Sequence, residues 1–111
     1  MQPCAVIIDN RPDVINDVTR LLPECGLKEA GSAVDSRSGL ELLCAVRPTV
    51  AVVGENLSKG SSLKLIRKAR ALGCLSRFVF ITEFPSVSTL HEARDAGVPA
   101  AHVQLSLNVQ Y

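Results

Sequence analysis

The residues that could carry chemistry in this sequence stand at the ends of its apolar segments. A carboxylate such as Asp9 could hold a cation there, and the hydroxyl of Thr82 or the amide of Gln104 could bind an anion or a small molecule. In a parallel sheet such positions share the crevice beyond the carboxyl ends of the strands. The positions selected in this way are Asp9, Asn10, Gly54, Glu55, Thr82, Glu83 and Gln104.

Gly54 is the most informative of these positions because it has no side chain. It ends the apolar run 50–53, whose length and composition indicate a strand buried on both faces. A glycine there supplies no nucleophile, no carboxylate for a metal and no atom that could store a transferred group. We therefore predict that the middle of the crevice lacks catalytic chemistry.

Short apolar runs alternate with amphipathic segments along the chain, and each change is marked by a proline, a glycine or a capping residue. Strands are predicted at 5–8, 27–34, 50–53, 78–81 and 100–105. Helices are predicted to start at Pro12, capped by Asn10 or Arg11, at Asp35 or Ser36, near Leu63 and at Pro85. Their ends are predicted at Pro23, at Arg47-Pro48, at Gly73 and at Gly97.

This alternation predicts an α/β fold: a flavodoxin-like, doubly wound, five-stranded parallel sheet of order 2-1-3-4-5, forming one domain over residues 1–111. Helical spacing assigns an inward-facing apolar stripe to each helix. The stripes of the first three helices are Val14, Ile15, Val18, Leu21 and Leu22; then Leu40, Leu43, Cys44 and Val46; then Leu63, Leu65, Ile66, Ala69 and Leu72.

Composition narrows the class of protein. A hydrophobic fraction of 47% predicts a packed core, and a net charge of +1 gives no reason to expect nucleic acid, a membrane or an acidic substrate as an obligatory partner. No apolar run approaches the roughly 20 residues that span a bilayer, and no export signal is apparent. Four widely spaced cysteines, Cys4, Cys25, Cys44 and Cys74, are predicted to be buried reduced thiols, which indicates a cytoplasmic protein.

In the order and spacing of these features the chain resembles the receiver domains of bacterial response regulators. The resemblance runs from Arg47 to Leu72 without a gap, and it includes the opening residues 6–10, the strand end at 80–82 and the stretch 92–97. It implies that two acidic residues after the first strand should hold Mg²⁺ together with an acceptor aspartate on the third strand. It also implies a hydroxyl and a lysine that bind the phosphoryl oxygens.

Most of these groups are replaced here. Asp9 occupies the first acidic position, but Asn10 stands at the second and Gly54 at the acceptor. Thr82 keeps the hydroxyl, whereas Gln104 stands where the lysine is expected. The remaining departures are Glu83 at a position that is usually small, Ala101 at the aromatic switch position and Leu105 in place of a proline. The resemblance therefore implies a degenerate receiver, or pseudo-receiver, which binds neither magnesium nor a phosphoryl group.

Several residues keep two interpretations. Asp9 could still bind a cation, or it could accept hydrogen bonds from loop amides. Glu55 could imitate a phosphorylated aspartate, although strand alternation favours an exposed Glu55. Glu55 and Glu83 could also block the pocket or contact a ligand. The basic residues around the third helix could dock an acidic partner or form a solvated face; they are Lys59, Lys64, Arg67, Lys68, Arg70 and Arg77.

We therefore expect a non-enzymatic regulatory or dimerisation domain without a cofactor, at the amino end of a bacterial transcription regulator. Its partner would be a protein, with a second copy of the chain favoured, and DNA would be bound only through a domain absent from these residues. The alternatives are a sensor that binds a small molecule or an anion in the pocket around Gly54, Thr82 and Gln104, a stand-alone adaptor, and a receiver that accepts phosphate on Asp9. Residues 106–111 are too short for the fifth helix of a receiver, so we expect that helix to be missing or truncated.

Overall fold

A computed structural model describes residues 3–55 and 57–81 of the chain. The strands are β1 (Cys4–Ile8), β2 (Lys28–Ala33), β3 (Val50–Gly54) and β4 (Arg77–Ile81). The helices are α1 (Pro12–Leu21), α2 (Ser36–Val46) and α3 (Ser62–Ala71), with a 3-10 turn at Leu22–Cys25. The predicted fourth helix and fifth strand lie outside the described residues, as do Thr82, Glu83, Ala101, Gln104 and Leu105.

The four described strands form one parallel sheet of order β2-β1-β3-β4, in agreement with the predicted winding. β1 pairs with β3 through Ile8 and Val53, and β3 pairs with β4 as far as Gly54 and Ile81. Parallel pairing brings the carboxyl ends of all these strands to one edge. The sheet therefore places the residues after β1 next to the residues at the end of β3.

Helices cover both faces of the sheet, as predicted for a doubly wound fold. On one face, α1 packs Val14 and Val18 against Ile7 and Val52. On the other face, α2 and α3 enclose the larger half of the core. The buried members of that larger half are Val6, Ile8, Ala33, Leu43, Ala51, Val53, Leu63, Leu65, Ile66, Ala69, Phe78 and Phe80.

Gly39 permits α2 to approach the sheet closely. A Cβ atom at this position would lie 2.9 Å from Cγ2 of Ile8 and 3.2 Å from Cδ2 of Leu65, which is tighter than ordinary van der Waals contact. A glycine inside a helix costs about 1 kcal/mol relative to alanine. The close packing of the helix on β1 and α3 explains why the residue is tolerated there.

Several predicted inward positions are wrong, because the helices end or turn differently from the ideal pattern. Leu21 is the last residue of α1 and is 47% exposed, whereas Leu22, also predicted to face inward, is buried in the core. Leu72 caps α3 beyond its last turn and is 60% exposed. In α2 the buried side is centred on Gly39 and Leu43, so Cys44 faces solvent.

The prediction of buried thiols is also wrong. Cys25 and Cys44 are exposed, and Cys4 and Cys74 are only half-buried. Cys25 lies at the end of the 3-10 turn, just before Gly26 reverses the chain in a left-handed conformation. The neighbouring apolar residues that suggested burial belong to the core. Cys4 and Cys25 lie at the ends of their elements, Cys44 is on the exposed side of α2, and Cys74 follows the end of α3.

Asp35 caps α2 and makes the stability of the helix depend on pH. Its carboxylate accepts hydrogen bonds from the hydroxyl and the backbone N–H of Ser38, at 2.6 and 2.8 Å. The hydroxyl bond is the main cause that lowers the pKa of Asp35; the backbone bond adds to it, and the charges of Lys59 and Arg37 contribute further.

We predict that the cap stabilises the fold above the ordinary pKa of Asp35 and that this stabilisation disappears as the pH falls through the lowered value. Asp35→Asn keeps a good cap without the titration. The free energy of unfolding of the native protein, measured with urea, should therefore exceed that of the variant at pH 6, and the difference should shrink below pH 4. A difference that stays constant between pH 6 and pH 3 would contradict this role.

Candidate functional site

The candidate site lies at the carboxyl edge of the sheet, between β1 and β3. Asp9 and Gly54 directly follow the paired residues Ile8 and Val53, so the two positions are neighbours on adjacent strands. The backbone N–H of Asp9 donates to the carbonyl of Ala33 at 3.0 Å, which continues the hydrogen bonding towards β2. Two of the residues predicted for the crevice are thereby brought together.

The Asp9 carboxylate is bound by Arg11 through three donors. Oδ1 accepts from the backbone N–H of Arg11 at 2.8 Å and from its Nε at 3.0 Å, and Oδ2 accepts from a terminal guanidinium nitrogen at 2.9 Å. Asp9 is 1% exposed and the Arg11 side chain is 19% exposed. This is a bidentate, charge-assisted pair in a largely buried place, the geometry in which arginine binds a carboxylate most strongly.

The carboxylate of Asp9 fills the space beside Gly54. A Cβ atom at position 54 would lie 2.5 Å from Cγ of Asp9, 3.1 Å from its Cβ, and closer still to Oδ2. Gly54 is buried, and its φ is not positive. Its backbone would therefore accept any residue, and the position requires glycine for lack of space rather than for conformational freedom.

Arg11 is the residue of this candidate site that sequence reasoning missed. The sequence suggests only a possible cap of α1, and Arg11 is the N-cap, although its side chain makes no capping hydrogen bond. A further signal is present in the sequence: a cation stands two residues after a strand-end carboxylate and just before Pro12, which fixes the start of the helix. The predicted role of Asp9 as an acceptor of a loop amide is confirmed by the bond from the Arg11 N–H.

The other predicted positions at this edge are placed differently. Asn10 is exposed. Glu55 is half-buried rather than exposed, and its backbone N–H donates to the carbonyl of Ile81 at 2.9 Å. The hydroxyl of buried Ser62, at the start of α3, donates to the carbonyl of Gly54. The loop after β3 is therefore tied to the end of β4 and to Gly54 itself.

The described ranges contain no group of three or more His, Cys, Asp or Glu residues that could hold a metal ion. Asp9 is one carboxylate already bound to a guanidinium, and Mg²⁺ prefers several oxygen ligands, so a cation would have to displace Arg11. Among the same residues, no helix has the length and hydropathy that crossing a bilayer requires.

Solved structures show what this arrangement of strands and helices resembles. The signal receiver domain of the response regulator NarL from Mycobacterium tuberculosis superposes with a TM-score of 0.79 at 21% identity, covering 88% of this chain and 81% of that one. A LuxR-family two-component response regulator from Aurantimonas sp. gives a TM-score of 0.79 at 19% identity, with 88% and 71% covered.

The Vibrio cholerae chemotaxis protein CheY4 gives a TM-score of 0.78 at 16% identity, with 88% of this chain and 82% of that chain covered. No protein-family model and no curated protein sequence matches the chain. At these identities the likeness is one of three-dimensional structure. The chain has the fold of the receiver domains of response regulators.

Proposed function

We propose that this protein is a phosphorylation-independent regulatory domain: a receiver fold that works through protein contacts and takes up no phosphoryl group. The observation that carries the proposal is the Asp9–Arg11 pair lying against Gly54. In the receiver family this hollow holds an acceptor aspartate and a magnesium ion. Here a carboxylate from the end of β1 fills the space beside position 54, and a guanidinium supplies the positive charge.

The pair supports this function because it occupies the hollow with groups of the chain itself. Both oxygens of Asp9 accept hydrogen bonds from Arg11, so an attack by either oxygen on a phosphoryl donor would have to break a charge-assisted contact. A fixed positive charge beside a fixed negative charge also leaves little net field for an incoming phosphoryl dianion. The Asp9–Arg11 pair then has a structural role, because it packs the end of β1 and the start of α1 against the end of β3.

A domain of this kind regulates by binding. We infer that it docks with a protein, with a second copy of the chain as the first candidate, and that it belongs to a bacterial transcription regulator whose DNA-binding part is separate from these residues. Its location would be the cytoplasm. Changes in protein amount or in partner would then set its activity, instead of a phosphorylation signal.

The sensor alternative requires open space around Gly54. The part of that space beside the Gly54 backbone contains the Asp9 carboxylate, and the cavities found among the described residues are lined by other parts of the chain. Among residues 3–55 and 57–81, no observation favours a bound small molecule at this edge, so we do not adopt the alternative.

The test is chemical phosphorylation followed by intact-mass measurement. The native protein is incubated with acetyl phosphate and Mg²⁺ beside a receiver domain that has the full set of acidic residues. We expect an added phosphoryl mass on the active receiver alone.

An added mass on this protein would overturn the proposal, and its loss in Asp9→Ala would identify the acceptor. As a check on the role of the pair, Arg11→Gln is treated in the same way. Phosphorylation of Arg11→Gln but not of the native protein would still agree with the proposal, because it would show that Arg11 blocks Asp9.

A further inference from the structure

The outer face of α3 carries positive charge that the helix does not neutralise. The helix buries Ser62, Leu63, Leu65, Ile66 and Ala69, and exposes Lys64, Arg67 and Lys68. These three residues are spaced three and four positions apart, so they are neighbours on one face and their like charges repel. Such a face is less favourable for the helix than one with mixed charges.

No carboxylate forms an ion pair with these side chains in the part of the chain that the structure describes. None of the three side chains lies within 4.0 Å of a carboxylate oxygen there. Between residues 56 and 82 the sequence has six of its twelve basic residues and no acidic residue. The net charge of +1 is therefore unevenly distributed, and the segment between residues 56 and 82 is strongly basic.

Exposed leucines continue this face beyond the end of α3. Leu72 is 60% exposed and Leu75 is 94% exposed, so both side chains are largely in contact with water. Beside them lies a cavity of about 240 Å³ lined by Arg47, Pro48 and residues 73–76. A smaller cavity connects Leu72 with Arg47 at the end of α2. Basic and apolar groups therefore form one continuous surface.

We propose that this surface, formed by Arg47, Lys64, Arg67, Lys68, Leu72 and Leu75 and called here the α3 surface, binds an acidic amphipathic segment of a partner protein. Carboxylates of the segment would lie against the lysines and arginines, and an apolar side chain would cover the leucines and enter the cavity. Charge complementarity selects an acidic partner, and the exposed leucines select one with apolar side chains. The inference uses no residue of the Asp9 site and does not rest on the proposed function.

A polypeptide fits this surface better than a nucleic acid. Proteins that bind single strands stack bases on aromatic side chains, but the described aromatic residues, Phe78 and Phe80, are buried. A phosphate backbone would not remove the exposed leucines from water, whereas an apolar side chain of a peptide would do so, which is favourable. The ligand expected for the α3 surface is therefore a protein segment, and the test includes a DNA duplex to detect binding of nucleic acid.

The test uses a synthetic helical peptide with glutamates on one side and leucines on the other, labelled for fluorescence anisotropy. A peptide of equal composition but dispersed leucines and a short DNA duplex serve as comparison probes. We expect saturable binding of the amphipathic peptide that weakens with added salt. The triple variant Lys64→Glu, Arg67→Glu, Lys68→Glu and the single variant Leu75→Ser should each weaken it at least about fivefold.

Lys28→Glu provides a matched control, because Lys28 is an exposed basic residue on β2, which lies at the other end of the described strand order from β4. It should change the affinity by less than about twofold, as expected for a charge outside the contact. Circular dichroism verifies that every variant is folded.

The proposal is overturned by any one of four results. These are no saturable binding of the peptide, equal binding of the peptide with dispersed leucines, unchanged affinity in Leu75→Ser, and tighter binding of the DNA duplex. Self-association that the triple variant abolishes, without peptide binding, would assign the surface to a second copy of the chain and would also overturn the proposal.

Discussion

Gly54→Ala is expected to lower the free energy of unfolding by about 3 kcal/mol or more, although alanine is only one carbon atom larger. The added Cβ would overlap the Asp9 carboxylate, whose three hydrogen bonds to Arg11 prevent it from moving aside freely. Either the ion pair breaks or β1 and β3 move apart. Urea unfolding of the variant beside the native protein measures the effect.

A second glycine provides a control that separates the effect of lost space from the effect of backbone conformation. Gly26 has a φ of 74°, and nothing lies within 4 Å of the place that a Cβ atom would take, so alanine there should cost only the left-handed backbone, about 1–2 kcal/mol. The double variant Asp9→Ala, Gly54→Ala removes the obstructing carboxylate. It should be more stable than the sum of the two single changes predicts, by about 0.5–3 kcal/mol. Additive losses would show that the two positions do not share one space.

Arg11→Gln should also be strongly destabilising, with a loss of about 3–5 kcal/mol in the free energy of unfolding. The substitution removes both guanidinium donors. Of the three hydrogen bonds that residue 11 makes to the buried Asp9 carboxylate, only the one from the backbone N–H then remains. Urea unfolding at neutral pH measures the loss.

A second arginine on α1 provides the control. Arg20 pairs with Asp17 on the surface, and its side chain is 76% exposed. Arg20→Gln should therefore change the free energy of unfolding by no more than about 1 kcal/mol. If the two variants lose equal stability, the buried pair has no special role.

The order of elements can be predicted from the sequence because each boundary has a local cause. Pro12 starts α1, Asp35 caps α2 and Ser61 caps α3, and each of these features stands at the predicted boundary or within two residues of it. The winding follows from buried β-branched runs, and it is confirmed for the four described strands. Short-range chemistry of this kind can be read from neighbouring residues.

The content of the crevice could not be predicted in the same way. The sequence indicates that Gly54 lacks a side chain, but it does not indicate which neighbour fills the space, because that depends on the register of β1 against β3 and on the rotamer of Asp9. The role of Arg11 depends on a turn of only two residues whose geometry is set by the start of α1. The exposure of Cys44 and Leu72 likewise depends on helix rotation and on where α3 ends, which periodicity fixes only approximately.

The occupied space beside Gly54 has a consequence for how such a protein could change over generations. A single mutation that introduced an acidic side chain at position 54 would meet the Asp9 carboxylate and weaken the fold before it could provide any chemistry. A descendant would first have to give up Asp9 or Arg11, and either loss alone is unfavourable. For the proposed function this means that packing against Asp9, and not only the missing carboxylate, opposes an acceptor at position 54.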